Sequence, residues 1–180
     1  MFKKHLATPF TGAGNTCVIE LAYNPQKNDL KILRLVSFFF LDEAEAEIYS
    51  LSTDSWRKVV ISMESLRGYE PNFGTIFDIA QTCIFFNEAL HTVADSNHHS
   101  FILSFNVNDQ IFREIMLPPN YLDGVPVFST EPAVFKGSLA ILFYASDDGD
   151  ASVTYGLWRS MVWPSLGLEN IWMVIRPQNS

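Results

Sequence analysis

The sequence predicts an all-β fold, a kelch-like β-propeller segment built from repeated antiparallel hairpins. Two observations predict it. A hairpin pattern in Ala46 to Ile61 recurs downstream, and a second, tighter hairpin recurs at a spacing of about 50 residues, the period of kelch-type blades. Composition agrees: the 180-residue chain is 48% hydrophobic and 14% aromatic, with 15 Phe, 6 Tyr and 4 Trp, residue types that suit sheets and argue against disorder.

In the first pattern, Ile48-Tyr49-Ser50-Leu51 leads through the polar cluster Ser52 to Ser55 into Trp56-Arg57-Lys58-Val59. Ser, Thr and Asp supply turn chemistry there. Ile102-Leu103-Ser104-Phe105, Asn106 to Ile111 and Phe112-Arg113-Glu114-Ile115 follow the same plan, with a turn read as two residues longer. Ile19 to Tyr23 and Leu30 to Leu35, around Asn24 to Asp29, read as a weaker third copy.

Taken in order, residues 1–17 hold Pro9, Gly12, Gly14 and Asn15 and read as a loose leader. Val18 to Tyr23 is the first expected strand and Leu30 to Leu41 the second, its continuous apolar run that of a strand buried on both faces. AEAEIY contains good helix formers, yet it alternates with period two and feeds the Ile48 strand, so a strand is expected. Ser62 to Gln81, with Gly68, Pro71, Asn72 and Gly74, reads as a long loop, with room for an edge strand. The tight hairpin is Ile84-Phe85-Phe86, Asn87-Glu88, Ala89 to Val93, repeated as Ala133-Val134-Phe135, Lys136-Gly137, Ser138 to Leu142. Phe86 matches Phe135 and Leu90 matches Leu139. Two-residue hairpin turns want positive φ, which Asn87 and Gly137 accept, whereas Glu88 stands where glycine would be more comfortable. Four strands per unit describes a propeller blade, with hairpin turns emerging alternately on the two rims. The chain has room for about three such blades at most, fewer than the roughly four to eight that close a ring. The expected domain spans residues 18–176, with 177–180 as a tail.

Charge and motifs narrow the function. A net charge of −8 disfavours a nucleic-acid surface, which needs clustered Lys and Arg. No run approaches the roughly 18 apolar residues of a spanning helix, and Met1 to Phe10 lacks the apolar core of a signal peptide, so no membrane is expected and a cytoplasmic or nuclear protein is. Cys17 and Cys83 read as buried thiols, with a single disulfide left open. His91, His98 and His99 do not make a convincing metal site, since adjacent extended residues point to opposite sides; a solvated loop is expected for His98-His99. Asp147-Asp148-Gly149-Asp150 lacks the spacing and terminal Glu of a calcium loop and reads as a polar turn. There is no phosphate-binding glycine loop, nucleophile elbow or Cys-x-x-Cys pair, so no catalytic residue, metal or cofactor is expected.

Several ordered motifs carry a family resemblance. Tyr23-Asn24-Pro25 to Arg34 is similar to the "GYDP…NDYKVLRI" strand pair of plant F-box-associated domains, and AEIYSLSTDSWRKV to their "VEVYSLGTDSWR". Phe85 to His91 resembles "FFNGALHW", with Glu88 for Gly and Thr92 for the aromatic. Ile102 to Pro118 resembles "ILSFDLNDEVFREIPLP", Phe135 to Ala140 the "GSLAL" strand and Ile171-Trp172-Met173 the closing "IWVM". The resemblance spans roughly residues 19 to 175. It implies the substrate-recognition region of Skp–cullin–F-box ubiquitin ligases, also described as F-box/kelch-repeat proteins, whose partner is a protein to be ubiquitinated. No F-box-like segment precedes Val18, so binding to the Skp adaptor is expected only if an F-box is supplied elsewhere. Two other readings stay open: a truncated competitor without adaptor binding, and a carbohydrate-binding propeller.

Trp56 and Phe112 occupy equivalent repeat positions and are expected in the core. Ser152 to Leu168 follows no repeat, and its Tyr155, Trp158 and Trp163 are the candidate partner-binding residues, aromatics being enriched at interfaces; packing remains an equal alternative.

Overall fold

The computed structural model describes residues 16–38, 43–61, 66, 76–96, 99–117, 127–146, 153–159 and 171–175. They form three four-stranded antiparallel sheets, each a simple meander. The first holds β1 (Thr16–Asn24), β2 (Asp29–Phe38), β3 (Glu43–Ser50) and β4 (Ser55–Ile61). The second holds β5 (Ile76–Phe86), β6 (Ala89–Ser96), β7 (Ser100–Asn106) and β8 (Ile111–Met116), and the third β9 (Val127–Phe135), β10 (Ser138–Ser146), β11 (Val153–Arg159) and β12 (Ile171–Ile175). β1 lies against β5 and β5 against β9, so the sheets converge at their first strands. Four strands per unit and convergence on the first strand are the geometry of consecutive propeller blades.

AEAEIY is strand, as its period-two pattern predicts: Glu45 and Glu47 share one face with Tyr49, and Ala44, Ala46 and Ile48 share the other. Ser62 to Gln81, expected as a long loop with room for an edge strand, holds the start of such a strand. β5 begins at Ile76, inside that expected loop, and it is a sheet's innermost strand, packed against both neighbouring sheets. Its pattern is hidden by a bulge. Ile79 pairs with Ala94 and Cys83 with Thr92, leaving Ala80, Gln81 and Thr82 opposite Val93 alone, which destroys the alternation. Thr92 holds the bulge: its hydroxyl lies 3.1 Å from the Ala80 carbonyl and 2.9 Å from the Thr82 carbonyl. A hydroxyl thus stands where the resemblance expected an aromatic.

The second sheet is buried on both faces. On one, Leu90, Leu103, Phe105 and Phe112 pack with Ala22, Leu33, Leu35, Ala46 and Ile48 of the first sheet. On the other, Val93 and Ile102 pack with Leu139 and Ile141 of the third. Cys83 is a free thiol, and burial pushes it up to about 12, so it is protonated at neutral pH. Phe105 and Phe112 are cross-strand partners with ring centroids 4.8 Å apart, and Tyr49 and Trp56 stand in the same relation at 5.3 Å. Such pairs contribute about 1 kcal/mol beyond their burial.

These aromatic pairs correct the repeat register. Each lies one step in from the pair that closes its turn, Ser50 with Ser55 and Asn106 with Ile111. Both turns are therefore the same length, residues 51–54 and 107–110, and the second is not longer. Ser50 corresponds to Asn106, not to Ser104. The β1–β2 hairpin is likewise not a third copy of this unit; it is the first hairpin of its sheet, equivalent to β5–β6.

Candidate interaction site

Alternate hairpin turns share one rim. The turns at 25–28, 51–54, 87–88, 107–110 and 136–137 all close on the same end of their sheets, and the pairs Phe38–Glu43, Asp95–Ser100 and Ser146–Val153 mark the other, so turns alternate along each meander as expected while the wide and tight hairpins read from sequence lie together. The cause is that a four-stranded meander brings its first and third turns to one end. Every described residue with φ in the left-handed region sits here: Asn28, Asp54, Asn87, Glu88, Gln110, Lys136 and Gly137. The paired values at Asn87 and Glu88 (47° and 61°) and at Lys136 and Gly137 (49° and 71°) are those of tight hairpins.

Side chains fix these turns to one another. Asn24 accepts the Lys27 N–H with its Oδ1 and donates from Nδ2 to the Val107 carbonyl of the second sheet, 3.1 Å away. Asp29 accepts from Lys31 Nζ at 2.9 Å, from the Ser52 N–H at 2.8 Å and from the Ser50 hydroxyl. Burial pushes the Asp29 carboxyl up, but these donors and the Lys31 charge outweigh it and hold the group well below the usual carboxylate range. Glu88 offsets its uncomfortable φ in two ways: its carbonyl accepts from the Val107 N–H at 3.0 Å and its carboxylate from Asn108 Nδ2 at 2.6 Å. Arg57 spans the two sheets with a 2.8 Å bond to Gln110 Oε1. The rim is a preorganised surface rather than a set of loose loops.

Between the second and third sheets, beside the Asn87 and Gly137 turns, lies a cavity of about 340 Å³. One wall is a cross-strand row, His91 on β6, Ser104 on β7 and Arg113 on β8. His91 donates from Nε2 to the Phe86 carbonyl, 3.1 Å away, which leaves Nδ1 as the lone-pair nitrogen, buried and without a partner among the described residues. Burial lowers its pKa, partly countered by the Phe86 carbonyl, and the ring is neutral at pH 7. A second cavity of about 380 Å³ lies at the β5 bulge, lined by Asp78, Asp95 and Glu131 with Thr82 and Thr130. Asp95 is raised by burial and by the charge of Asp78, against the bond it accepts from Ser100.

Two of the residues nominated from sequence lie on β11. Tyr155 pairs in register with Tyr144 and Ile175, and Trp158 with Ile141 and Trp172, both on the central strand β11 of the third sheet. Trp163 and Asp147 to Asp150 lie outside the described residues, as does His98. His99 is tied down rather than solvated, with Nε2 2.7 Å from Glu114 and its amide and carbonyl bonded to Ser96. No metal-binding group of acids, His or Cys occurs among the described residues, and no helix among them is long and apolar enough to cross a membrane. The row His91–Ser104–Arg113 is invisible in the sequence because its members are far apart along the chain; only the pairing register places them side by side.

The family model for the F-box associated beta propeller domain matches residues 3–148. That range contains the turn-bearing rim of the first two sheets and the cavity beside it, and ends before Tyr155, Trp158 and Trp163. Comparison with curated proteins gave no match.

Proposed function

We propose, from the premise that this chain belongs to the F-box-associated β-propeller family, that it recognises a protein destined for ubiquitination and has no chemistry of its own. The recognition role of the family supports a protein-binding module. The Skp–cullin–F-box ligase as its destination, a cytoplasmic or nuclear setting and the absence of catalysis are parts of the proposal. The observation that carries it is the rim: five turns from three sheets on one end, the four of the first two sheets cross-linked by Asn24, Asp29, Glu88 and Arg57. Preorganised turns limit the ordering entropy lost on binding.

The test joins an F-box segment to the chain, expresses it in cells and captures its partners by cross-linking. Recovery of the Skp adaptor together with a protein whose ubiquitination depends on the exposed rim residues Gln26, Thr53 and Lys136 is expected. A captured protein that binds the chain but is never ubiquitinated would shift the reading to a competitor. Identical capture by the wild type and by the triple Gln26→Ala, Thr53→Ala, Lys136→Ala variant would remove the rim from the account.

A further inference from the structure

The two interfaces between sheets differ at equivalent positions. In the first sheet the row one step beyond the aromatic pair is Leu33, Ile48 and Arg57; in the second it is His91, Ser104 and Arg113. Leu33 and Ile48 are 1% and 3% exposed and fill the core between the first two sheets. His91 and Ser104 replace these hydrocarbons with polar groups, and a cavity stands where the other interface is packed. A polar pair and a void together are the opposite of what sheet packing favours, since each lost apolar contact and each buried polar group destabilises.

The polar lining is weighted toward donors. Ser104 is 8% exposed and brings its hydroxyl to the lining. Asn106 uses its Oδ1 to accept the Asn108 and Asp109 amides, which leaves its Nδ2 as a donor at the cavity. Ser138 adds a hydroxyl from the third sheet. Arg113 is the one charged residue among the described lining residues, 64% exposed, and its ion pair with Asp109 is a long one at 3.9 Å, beyond hydrogen-bond range. Arg57, its counterpart, is bonded to the neighbouring sheet at 2.8 Å. Apart from the His91 Nδ1 lone pair, the polar groups of the lining can all donate, and with one guanidinium and no acid among the described lining residues they favour an anion. Beneath them, Phe86, Ile115 and Leu139 offer apolar contact for the methylenes that carry it.

The geometry points to a socket for a carboxylate side chain, a glutamate of the bound protein, held by Arg113, Ser104 and Asn106 between the second and third sheets. One guanidinium in a chain of net charge −8 matches a single carboxylate better than a dianionic phosphate. The socket rests on the protein-binding reading above and adds what that protein presents.

The test uses the whole chain, isotope-labelled, titrated with N-acetyl-Leu-Glu-Leu-amide, its Gln counterpart and its phosphoserine counterpart, while the amide resonances of Ser104, Asn106, Gly137 and Ser138 are followed. The Glu peptide should shift them saturably, with the Gln peptide and the Arg113→Gln variant each weaker by about ten-fold, as expected for a lost charge-assisted bond. Ser104→Ala should weaken binding by a smaller factor. Equal binding of Glu and Gln peptides, unchanged binding by Arg113→Gln, or tighter binding of the phosphoserine peptide would overturn the assignment. A captured partner that binds wild type and Arg113→Gln alike would sink the socket and leave the module reading standing. Saturable shifts at the cleft in a chain that captures no protein would do the reverse.

Discussion

Asn24 and Val107 lie 83 residues apart, and a single side-chain amide joins them: Asn24 Nδ2 donates to the Val107 carbonyl across the first two sheets. The same side chain closes its own turn by accepting the Lys27 N–H. Asn24→Ala removes both bonds and leaves a buried carbonyl without a donor, a loss of about 2 kcal/mol. Urea denaturation should show a lower midpoint with an unchanged slope.

Thr92 makes a second test of interlocking backbone and side chain. Thr92→Val keeps the shape and the β-branching but deprives the Ala80 and Thr82 carbonyls of their donor, so a loss of about 1 kcal/mol is expected. Thr92→Ser keeps the hydroxyl and should lose less. Amide exchange in residues 80–82 should quicken in the valine variant before it does elsewhere.

Glu88 sets φ strain against a hydrogen bond. At φ 61° it occupies a conformation that costs a non-glycine residue about 1 kcal/mol. Glu88→Gly relieves that strain but leaves Asn108 Nδ2 unpaired, and the two effects offset to near zero. Glu88→Ala keeps the strain and loses the bond, so it should be the least stable of the three in thermal melts. At Gly137, with φ 71° and open space where a Cβ would sit, Gly137→Ala should lose only the conformational share, about 1 kcal/mol.

Protonation acts on stability in opposed directions at low pH. His91 has its folded pKa below its ordinary value of 6.5. The unfolded chain therefore binds this proton first, and the stability His91 contributes is present above 6.5 and lost as the pH falls through the folded value. Asp29 behaves likewise at lower pH: its contribution is present above the unfolded value of 3.8 and fades as the pH falls below it. Asp95, raised in the folded state, has the reverse sign and gains on acidification toward 3.8. Two-dimensional NMR should show His91 neutral at pH 6.5, and His91→Gln should flatten the decline just below that pH.

Much of this architecture was legible because strands with one buried face alternate. Glu43–Ser50 and the Asn87-Glu88 turn could be read directly. β5 could not, because the Ala80–Thr82 bulge breaks period two and Gly68, Pro71, Asn72 and Gly74 precede it. Repeat matching by letter aligned Ser50 with Ser104, whereas the stacked pairs Tyr49–Trp56 and Phe105–Phe112 set the register one step differently. That step hid the cleft. Only in the correct register does Ile48 correspond to Ser104 in the repeat, and only then is a polar residue seen at a packing position.

Among the described residues, the second sheet contributes one face to each of two separate apolar clusters, and the outer sheets share neither. Such an arrangement couples neighbours only, so its cooperativity is that of a short one-dimensional array. The third sheet can open while the first keeps its contacts with the second, through a subglobal excursion visible to exchange long before global unfolding. Any guest seated between the second and third sheets closes that excursion in proportion to its saturation. Recognition in this molecule would then read out as a latch on that seam.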